Sequence, residues 1–240
     1  MRVLITRPRE DAAPLAARLA AKGIDSLIEP LLLIHLLPGA PLDLAGLQGL
    51  LVTSANGVRA FAARQPDRDI PVYAVGDASA RAAGEAGFAE VHSAGGDVDT
   101  LADLVADRLD PDDGALLHIA GSAVAGDLAG RLEGAGFGYR RAVLYAAETA
   151  TSLSEDALSA LRGGGLQGVM MFSPRTAATF AELLAQAGLA AACGGLEGFC
   201  LSAAVQARVA HLPWRRLTVA ERPEQDALLA LVEAAATRDS

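Results

Sequence analysis

Cysteine, lysine and aromatic residues are scarce in this 240-residue chain, and so are long apolar runs. Two cysteines, Cys193 and Cys200, are too few for a disulfide framework or a thiolate-based zinc site. No unbroken apolar run exceeds six residues, the length reached at Ala142–Ala147 and Ala227–Val232. A membrane-spanning helix needs about 20, so no membrane partner is expected. The apolar content of 52% and mean hydropathy of +0.30 owe most to 52 alanines. The opening MRVLITRPRE turns charged at once and carries no apolar core of signal-peptide length. A cytoplasmic protein in a reducing compartment is the expectation.

Positive charge is also in short supply. Twenty Lys and Arg against 29 Asp and Glu give a net charge of −9, which argues against nucleic acid as a partner. Of the twenty cations only Lys22 is a lysine. Arginine offers a planar fork that grips carboxylate or phosphate through two bonds, although a GC-rich coding bias produces the same preference. Cofactor signatures are missing too: there is no GxGxxG after a strand, no GxxxxGK[ST] and no GxSxG. His35, His92, His118 and His211 are scattered and read as residues at element ends without a role. Gly163-Gly164-Gly165 reads as a loop, and Trp214 as a packing anchor. Neither a metal nor a cofactor is expected.

What the chain does contain is an alternation of short apolar runs with helical patterns, the mark of α/β units around parallel sheets. Strands are expected at Val3–Thr6, Ser26–Glu29, Leu50–Thr53, Val72–Val75, Val91–Ser93, Leu116–Ala120, Val169–Phe172, Phe199–Leu201 and Leu217–Ala220. Helices are expected between them, for example at Val58–Ala63 and Ala125–Glu133, and Leu31–Leu37 and Arg141–Glu148 are longer extended runs. An internal repeat organises the series. Val52–Phe61 lines up with Met171–Phe180, and in both copies Phe follows Ser by seven residues. Val98–Val105 matches Gln225–Val232, and Val75-Gly76-Asp77-Ala78 matches Leu201-Ser202-Ala203-Ala204. The second copy lacks its opening strands, which the N-terminal pair would supply. The expected domains are therefore a discontinuous α/β lobe, residues 1–34 plus 150–240, and an inserted lobe, residues 35–149, with the two long extended runs as crossing strands.

Several strand ends lead through a small or polar residue into a helix: Thr6-Arg7-Pro8, Ser54-Ala55-Asn56, Gly76-Asp77-Ala78, Gly121-Ser122, Ser173-Pro174-Arg175 and Ser202-Ala203. Ligands of open α/β sheets bind beyond the carboxyl ends of strands, where free N–H groups and helix dipoles favour anions. Any one such end is explained by N-capping. Six of them over two lobes point to a cleft for a multiply anionic ligand.

VLITRP at 3–8, TSANGVRAF at 53–61, YAVGDASA at 73–80, LYAAET at 144–149 and MFSPRTAATF at 171–180 together resemble the uroporphyrinogen-III synthase family, in order and across nearly the whole chain. The resemblance implies two flavodoxin-like parallel-sheet lobes joined by a two-stranded linker. It also implies a hydro-lyase of porphyrin and heme biosynthesis that closes the linear tetrapyrrole hydroxymethylbilane without a cofactor, losing water and inverting the last pyrrole ring. Transient contact with neighbouring enzymes of that pathway is a further implication. Tyr145 matches the family's linker tyrosine and is either a proton donor or an aromatic placed by β-propensity. Arg7, Arg59 and Arg175 are candidate carboxylate partners, and Ser54, Gly76, Ser173 and Ser202 are candidate substrate-binding residues. Arg222 is a further strand-end arginine, with a solvated surface role as its ordinary explanation. Where the family often carries a threonine after a strand-end glycine, this chain has Ser202-Ala203, so a hydroxyl there must come from Ser202. A two-lobed binding or sensor protein for a small anion would share the same features, whereas a glycosyltransferase-like reading finds no nucleotide-sugar signature.

Overall fold

A computed structural model describes residues 1–39, 42–123 and 126–238. The chain opens with β1 (Arg2–Ile5), α1 (Arg9–Ala20), β2 (Asp25–Ile28) and β3 (Leu32–Leu36). It continues through β4 (Leu47–Val52), α2 (Ala55–Arg64), β5 (Val72–Ala74), α3 (Asp77–Glu85), β6 (Val91–Ser93) and α4 (Val98–Arg108). Next come β7 (Ala115–Gly121), α5 (Leu128–Gly134), β8 (Gly138–Thr149) and α6 (Glu155–Arg162). The last elements are β9 (Gly168–Met171), α7 (Pro174–Gln186), β10 (Glu197–Cys200), α8 (Ala203–Val209), β11 (Arg216–Val219) and α9 (Gln225–Arg238). Ala125, where the sequence places the start of the fifth helix, lies outside the described residues.

Local chemistry sets the helix ends. Ser54, Ser154, Ser173 and Ser202 each accept a backbone N–H from the first turn of α2, α6, α7 and α8. Asp97 and Thr100 form a reciprocal capping box on α4. Gly23, at φ +72°, closes the turn after α1 in the left-handed region that other residues avoid.

The chain divides into two compact units, Met1–Leu33 with Glu148–Ser240, and Ile34–Ala147. The first is built on a parallel sheet in the order β11-β10-β9-β1-β2, with Val3 opposite Gly168 and Ile5 opposite Met170. Both of its faces are covered, as parallel sheets require. Leu4, Val169 and Met171 pack with Phe180 and Leu184 of α7 and Val205 of α8. Val3, Ile5, Met170 and Phe199 pack on the other face with Leu15 and Leu19 of α1 and Leu228 and Val232 of α9. Successive β1 residues thus serve opposite cores, which is why Val3, Leu4 and Ile5 are all fully buried.

The second unit has the order β3-β8-β7-β4-β5-β6, and β4 to β8 pair in parallel. Leu37 N–H donates to Leu144 O, and Ala150 N–H donates to Leu31 O. Numbers rise on one strand as they fall on the other, so β3 runs antiparallel to β8. Leu50, Val52 and Ile119 pack under Val58 and Phe61 of α2, while Leu51, Tyr73 and Leu116 pack under Leu101 and Val105 of α4 and Leu132 of α5.

The repeat is visible in space and corrects one expectation. The run β9-α7-β10-α8-β11-α9 steps outward as β4-α2-β5-α3-β6-α4 does, and β1-α1-β2 stands where β7-α5-β8 stands. The N-terminal strands therefore supply the closing pair of the copy, not its opening pair. Numbered along the chain, the first unit has the flavodoxin-like order 2-1-3-4-5, but the second reads 3-2-1-4-5 before its antiparallel edge strand. One sheet plan has been entered at two different points.

Candidate active site

The strand order reverses between β1 and β9 in the first unit and between β4 and β7 in the second. Beyond the carboxyl ends at such reversals lies the ordinary ligand position of a doubly wound sheet. In the first unit these ends carry Thr6-Arg7-Pro8 and Ser173-Pro174-Arg175. Thr6 is fully buried, and its Oγ1 donates to Met170 O at 2.9 Å, tying β1 to β9. Ser173 Oγ accepts from Thr176 N–H at 3.1 Å and lies 2.9 Å from Thr176 Oγ1. Pro174 occupies the first turn, where its missing N–H would have had no partner. Ser202 caps α8 more loosely, at 3.4 Å from Val205 N. Arg175 is exposed.

Arg7 stands at the β1 end, but its fork is already engaged within the unit. Its Nη1 donates to Gln225 Oε1 at 2.6 Å, its Nη2 lies 3.6 Å from Asp11 Oδ2, and its guanidinium carbon sits 4.7 Å from the Phe172 ring centroid. It holds the first turn of α9 against the carboxyl end of the sheet. Arg7→Ala is accordingly expected to lower unfolding stability by about 1–3 kcal/mol in urea titration, besides any effect on substrate.

In the second unit, Ser54 Oγ accepts from Asn56 N–H at 3.1 Å, and Asn56 Oδ1 accepts from Arg59 Nη1 at 2.9 Å. A Cβ at Gly57 would fall 2.9 Å from Ile119 O, so only glycine lets α2 lie this close to β7. Gly76 precedes α3 in ordinary extended backbone with open space where a Cβ would stand. The first residue of α3, Asp77, already brings a carboxylate to that helix start and accepts from Ser93 Oγ at 2.7 Å.

Tyr145 lies at the carboxyl end of β7. The register of β8 shifts there, so that Val143 faces Ala120 but Tyr145 faces Gly121. This bulge lays the phenol ring on Gly121, where a Cβ would come within 2.8 Å of Cζ. Ser122 N–H donates to Tyr145 O at 2.9 Å, and the residue is only 8% exposed. Among the described residues its hydroxyl has no hydrogen-bond partner.

One buried cluster was not legible beforehand. His118, read from sequence as a residue without a role at an element end, is in the interior of β7 and 1% exposed. Tyr139 Oη lies 2.6 Å from its Nδ1, and Thr53 Oγ1, at the end of β4, lies 3.3 Å from its Nε2. Burial, with the Arg141 charge beside it, pushes the imidazole down to about 4 and keeps it neutral at pH 7. Cys193 and Cys200 are buried, and desolvation pushes their thiols up to about 11 and about 12, which leaves them unreactive. No three His, Cys, Asp or Glu side chains come together as a metal site among the described residues. No described helix is long and apolar enough to cross a membrane.

Two α/β units with capped helix starts at their strand-order reversals define a doubly wound α/β protein. The particular family follows from a match of residues 13–230 to the family model described as Uroporphyrinogen-III synthase HemD, and the chain belongs to the uroporphyrinogen-III synthase family. It is thereby an enzyme of porphyrin and heme biosynthesis. The fold is shared with the uroporphyrinogen-III synthetase of Helicobacter pylori 26695, at 16% identity over 98% of this chain and 100% of that one, with a TM-score of 0.62. A mutant uroporphyrinogen III synthase of the extremely thermophilic bacterium Thermus thermophilus aligns over 99% of both chains at 16% identity and a TM-score of 0.54. No curated protein matches at a significant level.

Proposed function

We propose that this chain is a hydro-lyase that closes hydroxymethylbilane to uroporphyrinogen III. The family match across residues 13–230 carries the reading, and the helix starts at both strand-order reversals support it. The reaction asks little of side-chain chemistry. The terminal C–O bond breaks, the hydroxyl takes a proton and leaves as water, and the pyrrole nitrogen's electrons stabilise the resulting azafulvene. Attack through a spiro-pyrrolenine then inverts the last ring. The attacked pyrrole releases its α-carbon proton on closure, so the proton supplied at the start is recovered. Orientation alone can contribute about 7–11 kcal/mol towards such a barrier.

In this reading Tyr145 supplies the proton to the departing hydroxyl. Ser54, Ser173 and Ser202, with the amides they begin, receive substrate carboxylates, and Arg59 and Arg175 add positive charge. Gly76 leaves open space for the substrate beside the α3 start, where Asp77 already stands. Arg7 acts on the substrate through the α9 start it holds. The net charge of −9 repels a substrate bearing eight carboxylates at long range, so these local groups must reverse the field at the site. Residues 1–34 with 150–240 and residues 35–149 act as the two lobes, with β3 and β8 as the linker. The hydrogen bonds from Leu37 to Leu144 and from Ala150 to Leu31 support that assignment.

The test supplies hydroxymethylbilane to the purified chain and separates the oxidised products by isomer. Isomer III above the no-enzyme control is expected. Isomer I alone would overturn the assignment.

A further inference from the structure

The second unit holds a polar cluster that the proposed function leaves unused, and it sits at the strand-order reversal between β4 and β7. We propose that Tyr139, His118 and Thr53 form a directed relay in which the first two, as positioning residues, aim the Thr53 hydroxyl hydrogen at a substrate carboxylate. The inference rests on the synthase reading and adds a binding residue, Thr53, to it.

The proposed direction rests on counting donors. A phenol has one hydrogen to give, and among the described residues the one acceptor within reach of that of Tyr139 is His118 Nδ1 at 2.6 Å. If Nδ1 accepts, the single proton of a neutral ring is on Nε2, which faces Thr53 Oγ1 at 3.3 Å. Thr53 then accepts from His118, and its own hydrogen is left to donate. The opposite tautomer would turn the hydroxyl of Thr53 inward as a donor to His118 and present only lone pairs outward, which repel a carboxylate. Arg141 helps to hold the arrangement from β8: its Nη2 donates to Gly121 O at 2.8 Å, and its charge disfavours a second proton on the ring. Thr53 directly precedes Ser54, the cap of α2, so the hydroxyl and the helix start serve one strand end.

Two measurements on the full chain decide the matter. In nitrogen-15 histidine spectra near neutral pH, His118 should show a protonated Nε2 and a bare Nδ1, and the reverse tautomer would overturn the relay. In kinetics with hydroxymethylbilane, Thr53→Val should raise KM by about ten- to 100-fold with kcat little changed, while Thr53→Ser should stay within about threefold of wild type. Tyr139→Phe should cost about three- to tenfold alone and nothing further in the Thr53→Val background, because the phenol acts only through that hydroxyl. Losses that add in the double variant would mean Tyr139 is merely structural, and would refute the proposal. A wild-type chain that makes no isomer III would sink the synthase reading instead, and the tautomer would still decide the relay.

Discussion

Tyr145→Phe is expected to slow formation of uroporphyrinogen III by about 100-fold, the lower range for losing a positioned general acid. Its unfolding midpoint should match that of wild type, because the ring that rests on Gly121 and packs beside Leu144 is kept. Gly121→Ala tests the same geometry from the other side. Its Cβ would stand 2.8 Å from Tyr145 Cζ, so the ring must swing away at an overpacking cost of about 1–3 kcal/mol. Initial rates over a substrate series, taken beside thermal unfolding, separate the two effects. A fully active Tyr145→Phe enzyme would show that the phenol gives no proton and that the tyrosine serves β8 by packing alone.

Acid should destabilise the second unit through His118. Its folded value is lowered from 6.5 to about 4, so between those values the unfolded chain binds more protons than the folded one. Stability is then full above about pH 6.5 and is lost as pH falls towards 4, by about 3 kcal/mol for this one group. His118→Asn removes the titration while leaving every carboxylate in place. Urea unfolding at pH 7.5 and 4.5 should therefore show wild type losing about 2–3 kcal/mol more than the variant over that interval. Equal losses would mean that the ring takes up its proton within the fold at no penalty.

The fold was legible where apolar runs end in turn chemistry. Val91–Ser93 matches β6 in full, and Val169–Phe172 lies within one residue of β9. The helix expected at Val58–Ala63 begins three residues earlier, at Ala55. Asn56 and Gly57 are poor helix formers, yet Ser54 caps that start and Gly57 lets it touch β7. The repeat showed that two copies exist, but similarity along a chain does not say which sheet edge a detached pair of strands will join. At the site, Ser54 and Ser173 could be read as helix starts because capping is local. The fork of Arg7 could not, since Gln225 is 218 positions away. His118 was missed for the same reason. Nothing in LLHIA distinguishes a histidine that will be buried between a threonine and a tyrosine from one at a surface.

The discontinuous first unit also fixes an order of events during synthesis. Residues 34–147, which make up the second unit, are all synthesised before β9. β1 is made before every other strand described, and one of its two neighbours, β9, begins only at Gly168. At about 5–20 residues per second the ribosome leaves that edge unpartnered for roughly 10–30 s. Val3, Leu4 and Ile5, wholly hidden in the finished protein, spend that time open to water, to a chaperone, or to the same edge of another nascent chain.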